Sequence, residues 1–134
     1  MLDRRSYALG HDGGRLPGVT AALLPLLVHP SRLTDENLVA AVKRMAKNTG
    51  KEAFLRQEHA IMSRADSRPL LASIDCPTLV LCGRQDALTP IDRHEELAAG
   101  IARARLEIIE NCGHLSTLER PAEVSAALKR WLAT

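Results

Sequence analysis

Two side chains in this sequence have the chemical types and the placing needed for proton-transfer chemistry. Asp86 follows the apolar run Thr78–Cys82, and His114 follows the apolar run Leu106–Ile109 at the end of the turn Asn111–Gly113. A carboxylate that accepts a hydrogen bond from one imidazole nitrogen fixes the tautomer of the ring, and the other nitrogen is then able to take a proton. The pair therefore predicts a general base that is oriented by an acid and that could activate a nucleophile.

Each of the two residues also has a simpler explanation. The segment Gly83–Asp86 has the composition of a turn, and His114 directly follows a glycine. Taken alone, either residue is explained by its turn. The occurrence of both residues, in this order and after two apolar runs, favours the acid–base pair, because catalytic groups of open α/β sheets gather at the carboxyl ends of the strands.

The nucleophile that such a pair would serve has no evident position. No Gly-x-Ser-x-Gly pattern occurs, and every serine lacks the strand–turn–helix context of a nucleophile elbow. These are Ser6, Ser31, Ser63, Ser67, Ser73, Ser116 and Ser125. Ser116 lies on the same loop as His114 and is expected to support the turn.

An alternative elbow is the segment Gly10–Gly14, which matches Gly-x-Asp-x-Gly with Asp12 as the nucleophile. An elbow needs a buried strand before it and a helix just after it. Charged residues precede this segment, and Pro17 would interrupt the helix that should follow. A glycine-rich loop is the preferred interpretation, and an elbow remnant remains open.

The composition predicts a globular protein with an aliphatic core. The chain has 134 residues, of which 46% are hydrophobic and only 2% aromatic, and its formal net charge is +2 with no run of five like charges. No nucleic-acid partner is implied. The longest apolar run, Val19–Val28, contains Pro25 and is too short to span a bilayer, so no membrane partner is expected either.

The cysteines and the remaining histidines give no sign of a metal or a cofactor. Three cysteines, Cys76, Cys82 and Cys112, lack short paired spacing, which argues against a disulfide framework or a zinc site and favours a reducing, cytoplasmic location. Cys112 is expected to be inert. The segment His94–Glu96 lacks the second histidine of a zinc-peptidase motif, and His11, His29 and His59 are expected at the surface.

The first half of the chain predicts helices only. Pro17 opens a helix that reaches Leu27, with Pro25 kinking or ending it. Thr34 is the expected N-cap of a second helix, with Asn48–Gly50 as its stop. Its apolar face comprises Leu38, Val42, Met45 and Ala46. A third helix is predicted over about Lys51–Met62.

The second half predicts a strand–helix–strand–helix unit. Thr78–Cys82 and Leu106–Ile109 are predicted as buried parallel strands. Thr89 is the expected cap of a helix that starts at Pro90 and runs to about Ala99. Pro121 opens the last helix, with one apolar face formed by Val124, Ala127, Leu128 and Trp131. Two strands alone do not make a stable sheet, so the chain is expected to be incomplete or to need a partner.

Residues 74–134 resemble the C-terminal part of an α/β-hydrolase. The apolar strand followed by Gly83, Asp86 and Pro90 is similar to the acid loop of that family, and Gly113-His114 followed by Glu119-Arg120-Pro121 is similar to its histidine loop. By this resemblance Asp86 is the catalytic acid and His114 the catalytic base. Residues 1–68 resemble the helical lid, which would line an apolar acyl or alkyl pocket, and residues 69–134 the C-terminal part of the core.

The resemblance implies a partial α/β-hydrolase fold and a hydrolase without cofactor or metal. Full-length relatives have roughly 250 residues in one domain, and they act on small ester-, amide- or carbon–carbon-bonded substrates through a Ser-His-Asp triad. The nucleophile elbow and the oxyanion hole of the family have no counterpart here. The chain alone is therefore predicted to be inactive.

Two other functions remain open from the sequence. An exposed strand edge is a template for pairing, so the chain could be an assembly module that self-associates or binds a complementing chain. It could also resemble the cofactor-free oxygenases of the same fold, in which a His-Asp pair deprotonates the substrate.

Overall fold

A computed structural model of the chain describes residues 16–133. The alternative elbow Gly10–Gly14, with Asp12 and His11, lies outside the described residues, as does Ser6. Within residues 16–133, no helix is both long and apolar enough to cross a membrane.

The first part of the described chain is helical. Helix α1 spans Leu16–Leu27 with Pro25 in its last turn, and helix α2 spans Glu36–Ser63. Gly50 interrupts α2 with φ 75° and ψ 163°, a left-handed backbone conformation that favours glycine. The two predicted helices therefore lie on either side of a break at Gly50, as predicted, within the helical stretch Glu36–Ser63. A short 3-10 turn, Pro30–Arg32, joins α1 to α2.

The N-cap of α2 differs from the prediction. Asp35, not Thr34, caps the helix, since its carboxylate accepts the backbone N–H of Leu38 at 3.0 Å. The Arg32 guanidinium holds the same carboxylate from the preceding turn. Thr34 and Asp35 are both good cap formers, and this local ion pair favours Asp35.

The second part of the described chain contains the predicted βαβα unit. Strand β1, Thr78–Gly83, pairs in parallel with strand β2, Ala104–Ile109, so that Gly83 lies opposite Ile109. Helix α3, Ile91–Gly100, connects the two strands and packs on both. After β2 come the one-turn helix α4, Ser116–Glu119, and helix α5, Pro121–Leu132. A 3-10 turn, Arg68–Ser73, precedes β1.

Two separate apolar clusters stabilise these parts. The helical cluster is formed by α1 and α2 through Leu24, Val28, Leu38 and Val42, and Leu115 packs against it from the histidine loop. The second cluster joins Ile109, Cys112 and Val124, with Leu81 from β1 beside them. Other predicted core positions are exposed: Met45 to 52% and Leu128 to 43%.

Candidate active site

Hydrogen bonds join the loop after β1 to the end of β2 and to the loop that follows it. The backbone N–H groups of Arg84 and Gln85 donate to the carbonyls of Ile109 and Cys112, both at 2.9 Å. The Gln85 side-chain oxygen accepts the N–H of Cys112 at 3.1 Å. These bonds continue the parallel pairing beyond the strands, and they bring the two loops together at the carboxyl edge of the sheet.

Two residues allow this close approach, Gly83 because it has no Cβ atom and Asn111 because of its backbone conformation. A Cβ atom on Gly83 would lie 2.2 Å from the carbonyl oxygen of Gly113 and 2.4 Å from that of Cys112. Only glycine fits at position 83. Asn111 has a positive φ of 51°, which turns the chain between β2 and His114 and which asparagine tolerates better than most residues.

Asp86 and His114 contact each other in this arrangement. The Nδ1 atom of His114 lies 2.8 Å from Oδ2 of Asp86. The Asp86 side chain is only 4% exposed, whereas the His114 side chain is 32% exposed. Among the described residues, no group hydrogen-bonds to Nε2 of His114. One imidazole nitrogen of His114 therefore bonds to a buried acid, and the other has no hydrogen-bond partner within residues 16–133.

The Asp86 carboxylate accepts three further hydrogen bonds. Its Oδ1 accepts the backbone N–H groups of Leu88 at 2.9 Å and Thr89 at 2.8 Å. Its Oδ2 accepts the Thr89 hydroxyl at 2.8 Å. Burial raises the pKa of the Asp86 carboxyl, but the hydrogen bonds from Thr89 and His114 outweigh burial and hold that pKa below its ordinary value. The acid is thus an anion at neutral pH and can fix the His114 tautomer.

Thr89 has a different position from the one predicted. Pro90 is the N-cap of α3, and the Thr89 hydroxyl instead bonds to Asp86 and lies 3.2 Å from Nδ1 of His114. The spacing Asp86-x-x-Thr89 carries a local signal for this arrangement, because aspartate commonly accepts the backbone N–H groups two and three residues later.

From the sequence, Glu119 is identified only as part of the family's histidine-loop pattern, and its contacts are not predicted. Its carboxylate accepts the backbone N–H of Gly113 at 2.9 Å and that of His29 at 2.7 Å. Glu119 is buried, at 3% exposure. No local pattern indicates this contact, since His29 is far away in the sequence. His29 is partly exposed, with its ring nitrogen Nδ1 2.8 Å from the Ser31 hydroxyl, and His59 is exposed.

Among residues 16–133, none of the other candidate nucleophiles and ligands hydrogen-bonds to the His114 ring. Ser116 begins α4, and its carbonyl accepts the N–H of Arg120. Cys112 is fully buried, and burial, with the nearby Glu119 charge, raises the pKa of its thiol to about 11. The Cys112 thiol therefore stays protonated at neutral pH, which favours the predicted inertness. In the described part of the chain, no three His, Cys, Asp or Glu side chains are grouped so that they could hold a metal.

A largely apolar cavity of about 220 Å³ lies between α1, α2 and the histidine loop. Leu115, the neighbour of His114, forms part of its wall. Leu23, Leu27 and Phe54 are among the apolar lining residues, and Thr20, Thr49 and Gln57 add polar atoms. The cavity thus connects the helical part of the chain to the loop that carries the histidine.

Comparison with known proteins decides the family. A family model described as alpha/beta hydrolase fold matches residues 5–121. The chain belongs to the α/β-hydrolase fold family. The resemblance and the fold class predicted from the sequence are thereby confirmed, with two parallel strands and several helices as a part of that fold.

The similar proteins within the α/β-hydrolase family are hydrolases of several kinds. A Serratia proteamaculans protein named as a candidate carbamate hydrolase, RutD, is 35% identical over 96% of this chain and 50% of its own length. The 2-hydroxy-6-oxo-6-phenylhexa-2,4-dienoate hydrolase of Comamonas testosteroni is 31% identical over 72% of this chain and 35% of its own. A thermophilic esterase from Thermogutta terrifontis superposes with a TM-score of 0.84 and 27% identity, covering 97% of this chain and 47% of the esterase. The chain thus spans half or less of these relatives.

Proposed function

We propose that this chain supplies the acid and the base of a Ser-His-Asp hydrolase. The observation that carries the proposal is the 2.8 Å contact between His114 Nδ1 and the buried, ionised Asp86. With Nδ1–H donated to Asp86, the Nε2 atom of His114 is the proton acceptor. It takes the proton of a serine hydroxyl as the serine attacks the substrate, and it returns the proton to the leaving group. Asp86 stabilises the imidazolium that forms in between.

The serine comes from outside residues 1–134 in this proposal. The described serines lie in turns and helices, for example Ser63 and Ser73, whose hydroxyls bond to backbone carbonyls. Without a nucleophile and an oxyanion hole, the 134-residue chain alone has a base but nothing for it to activate. We therefore propose that the isolated chain does not hydrolyse esters.

The proposed substrate is a small ester, amide or carbon–carbon-bonded compound with an apolar group. The apolar cavity beside Leu115 supports this class, because it has the size and lining for a short acyl or alkyl chain. Relatives named as a carbamate hydrolase, a dienoate hydrolase and an esterase fit the same range. In this proposal residues 1–68 act as the lid and residues 69–134 as part of the catalytic core. The division into lid and core is supported by the separate apolar cluster between α1 and α2.

A chimera tests the acid–base assignment. The chain is grafted onto the half of the Thermogutta terrifontis esterase that it does not match, where the resemblance places the nucleophile elbow. We expect the chimera to hydrolyse p-nitrophenyl butyrate, and we expect His114→Ala and Asp86→Ala to abolish that activity. A folded chimera that keeps its activity after His114→Ala refutes the assignment. The isolated chain is the matched control, and His114-dependent turnover by it alone refutes the proposed inactivity.

Association through a strand edge is a second proposal. Within residues 16–133 each strand of the sheet has only one neighbour, so β1 and β2 each have one edge without a strand partner. Such edges support pairing with a further strand of another chain or a second copy. Light scattering on the purified chain tests self-association, and a strictly monomeric protein at high concentration counts against it.

We also propose a cytoplasmic location, which the free thiols of Cys76, Cys82 and Cys112 support.

A further inference from the structure

Glu119 is a buried carboxylate with no cationic partner among residues 16–133. Its two oxygens are satisfied by backbone N–H groups only: Gly113 donates to Oε1 at 2.9 Å, and His29 donates to Oε2 at 2.7 Å. A buried carboxyl group whose oxygens are held by backbone donors is costly to bury unless both donors stay in place. The position of this side chain therefore depends on two backbone segments that are distant in the sequence.

One of the two donors adjoins the candidate base, and the other adjoins the proposed lid. Gly113 directly precedes His114, and His29 follows helix α1 of the proposed lid. The residue after His114 is tied to the same lid segment, because Leu115 N–H donates to the Leu27 carbonyl at 3.0 Å. The backbone of His114 is thus bracketed by two attachments to residues 27–29, one of them through Glu119.

Two more observations show how closely the histidine loop packs on the segment after α1. The Arg32 guanidinium donates to the backbone carbonyl of Glu119 at 3.0 Å. A Cβ on Gly113 would lie 2.7 Å from the His29 nitrogen and 2.9 Å from Glu119 Oε1. The histidine loop and the lid are therefore in backbone contact, and there is no room for either to shift toward the other.

We infer that Glu119 is a positioning residue for His114: its carboxylate joins the histidine loop to the lid and so holds the imidazole in reach of Asp86. The inference rests on the proposed function, since it takes His114 as the base. The 2.8 Å bond between His114 and Asp86 needs the His114 Cα at a fixed place. When the Glu119 link is broken, the loop moves relative to Asp86 and the bond weakens, although neither ring nor acid has been altered.

The matched substitutions Glu119→Gln and Glu123→Gln test the inference in the full chain. The glutamine amide keeps one acceptor oxygen, and its NH₂ group cannot accept the second N–H. Glu123 is an exposed glutamate four positions later, in a long ion pair with Arg120, so its replacement controls for the loss of charge. The readouts are amide hydrogen exchange and the ¹H–¹⁵N signal of the His114 Nδ1–H group.

For Glu119→Gln we expect the amide of Gly113 or His29 to exchange roughly tenfold faster or more, and we expect the His114 Nδ1–H signal to weaken or shift. Glu123→Gln leaves both readouts unchanged. Faster amide exchange with an unaltered His114 signal overturns the inference, because Glu119 is then structural only. Unaltered exchange overturns it as well.

A second variant decides the matter if Glu119→Gln does not fold. Glu119→Asp keeps the charge and both acceptor oxygens but shortens the reach by one methylene. A folded Glu119→Asp protein with a displaced His114 signal supports the inference, and one with the wild-type signal refutes it. These readouts need no turnover, so their outcome is separate from that of the chimera, which tests the catalytic assignment of His114 itself.

Discussion

Replacement of Asp86 by asparagine separates the orienting role of the acid from its role in the fold. In Asp86→Asn the remaining oxygen can still accept the backbone N–H groups of Leu88 and Thr89, which now bond to Oδ1. The new NH₂ group takes the place of Oδ2 and faces His114 Nδ1. An amide donor there requires Nδ1 to accept, so the ring proton moves to Nε2. The tautomer of His114 is then reversed.

Two magnitudes follow from these contacts. A hydrogen bond to a charged group contributes about 1.5–3 kcal/mol, and partial exposure of the His114 side chain, 32%, reduces this. We expect Asp86→Asn to lower the free energy of unfolding by about 1–2 kcal/mol at neutral pH. In the chimera that supplies a serine, the reversed tautomer removes the base and lowers kcat on the order of 10³–10⁴-fold, the effect known for the wrong tautomer in a Ser-His-Asp triad.

Acidification has a defined sign for the same residue. The pKa of Asp86 in the folded protein lies below its ordinary value of 3.8. The stabilisation by the Asp86 carboxylate is therefore complete above the unfolded-state pKa, and it is lost as the pH falls below about 4 and through the lowered pKa. Asp86→Asn removes this part of the acid-induced loss of stability.

The assays are urea unfolding and ¹H–¹⁵N spectra of the imidazole at neutral pH. The wild type is expected to bear its proton on Nδ1, and Asp86→Asn on Nε2. Asp92→Asn, an exposed aspartate in the first turn of α3, is the control and leaves the His114 spectrum unchanged. A wild-type His114 spectrum in Asp86→Asn, or a loss of stability no larger than that of Asp92→Asn, refutes the reasoning.

Three further predictions concern the parts that support the site. Gly83→Ala places a Cβ 2.2 Å from a backbone oxygen, so we expect the free energy of unfolding to fall by about 3 kcal/mol and Tm by about 10 °C in calorimetry. Gly100→Ala is the control, because its new Cβ meets only the Leu71 side chain, which can move. A fall of Tm in Gly100→Ala as large as that in Gly83→Ala contradicts the prediction. The folded-state pKa of the Cys112 thiol is raised to about 11, so its contribution to stability is fully present below the ordinary thiol pKa of 9.0. The free energy of unfolding falls by roughly 2–3 kcal/mol as the pH rises from 9.0 to 11. In Cys112→Ala the midpoint of urea unfolding should change less with pH across that range. A thiol reagent should label Cys76 alone in the folded protein and all three cysteines in urea; rapid native labelling of Cys112 would disprove its burial.

The sequence predicts the candidate pair because the relevant signals are local. Apolar runs bounded by Pro77 and Gly83 mark the first strand, and parallel pairing brings the carboxyl ends of both strands to one edge. That geometry follows from strand order alone. It is sufficient to place Asp86 beside His114, and the contact between them is seen in the structure.

The supporting residues could not be predicted in the same way, because each has more than one possible partner and the sequence does not say which partner it bonds in the folded chain. Thr89 has the sequence pattern of a helix cap, yet its hydroxyl bonds to Asp86, since the carboxylate is the nearer acceptor in the folded loop. Asp35 replaces Thr34 as a cap for a similar reason, with Arg32 holding it. Glu119 has no local signal, because its second donor belongs to a segment 90 residues earlier.

The close approach of three backbones connects the proposed chemistry to the proposed substrate pocket. The end of β1 meets the histidine loop at Gly83, where no Cβ fits, and the histidine loop meets the residues after α1, Val28 and His29, at Gly113, where no Cβ fits either. Interfaces packed this closely transmit displacement instead of absorbing it. In the proposed hydrolase, a substrate that moves α1 by filling the cavity beside Leu115 must therefore also move the His114 backbone, through Leu27 and Glu119. The working geometry of the base would then depend on the packing of α1, so substitutions of the cavity-lining residues Leu23 and Leu27 should change kcat as well as KM.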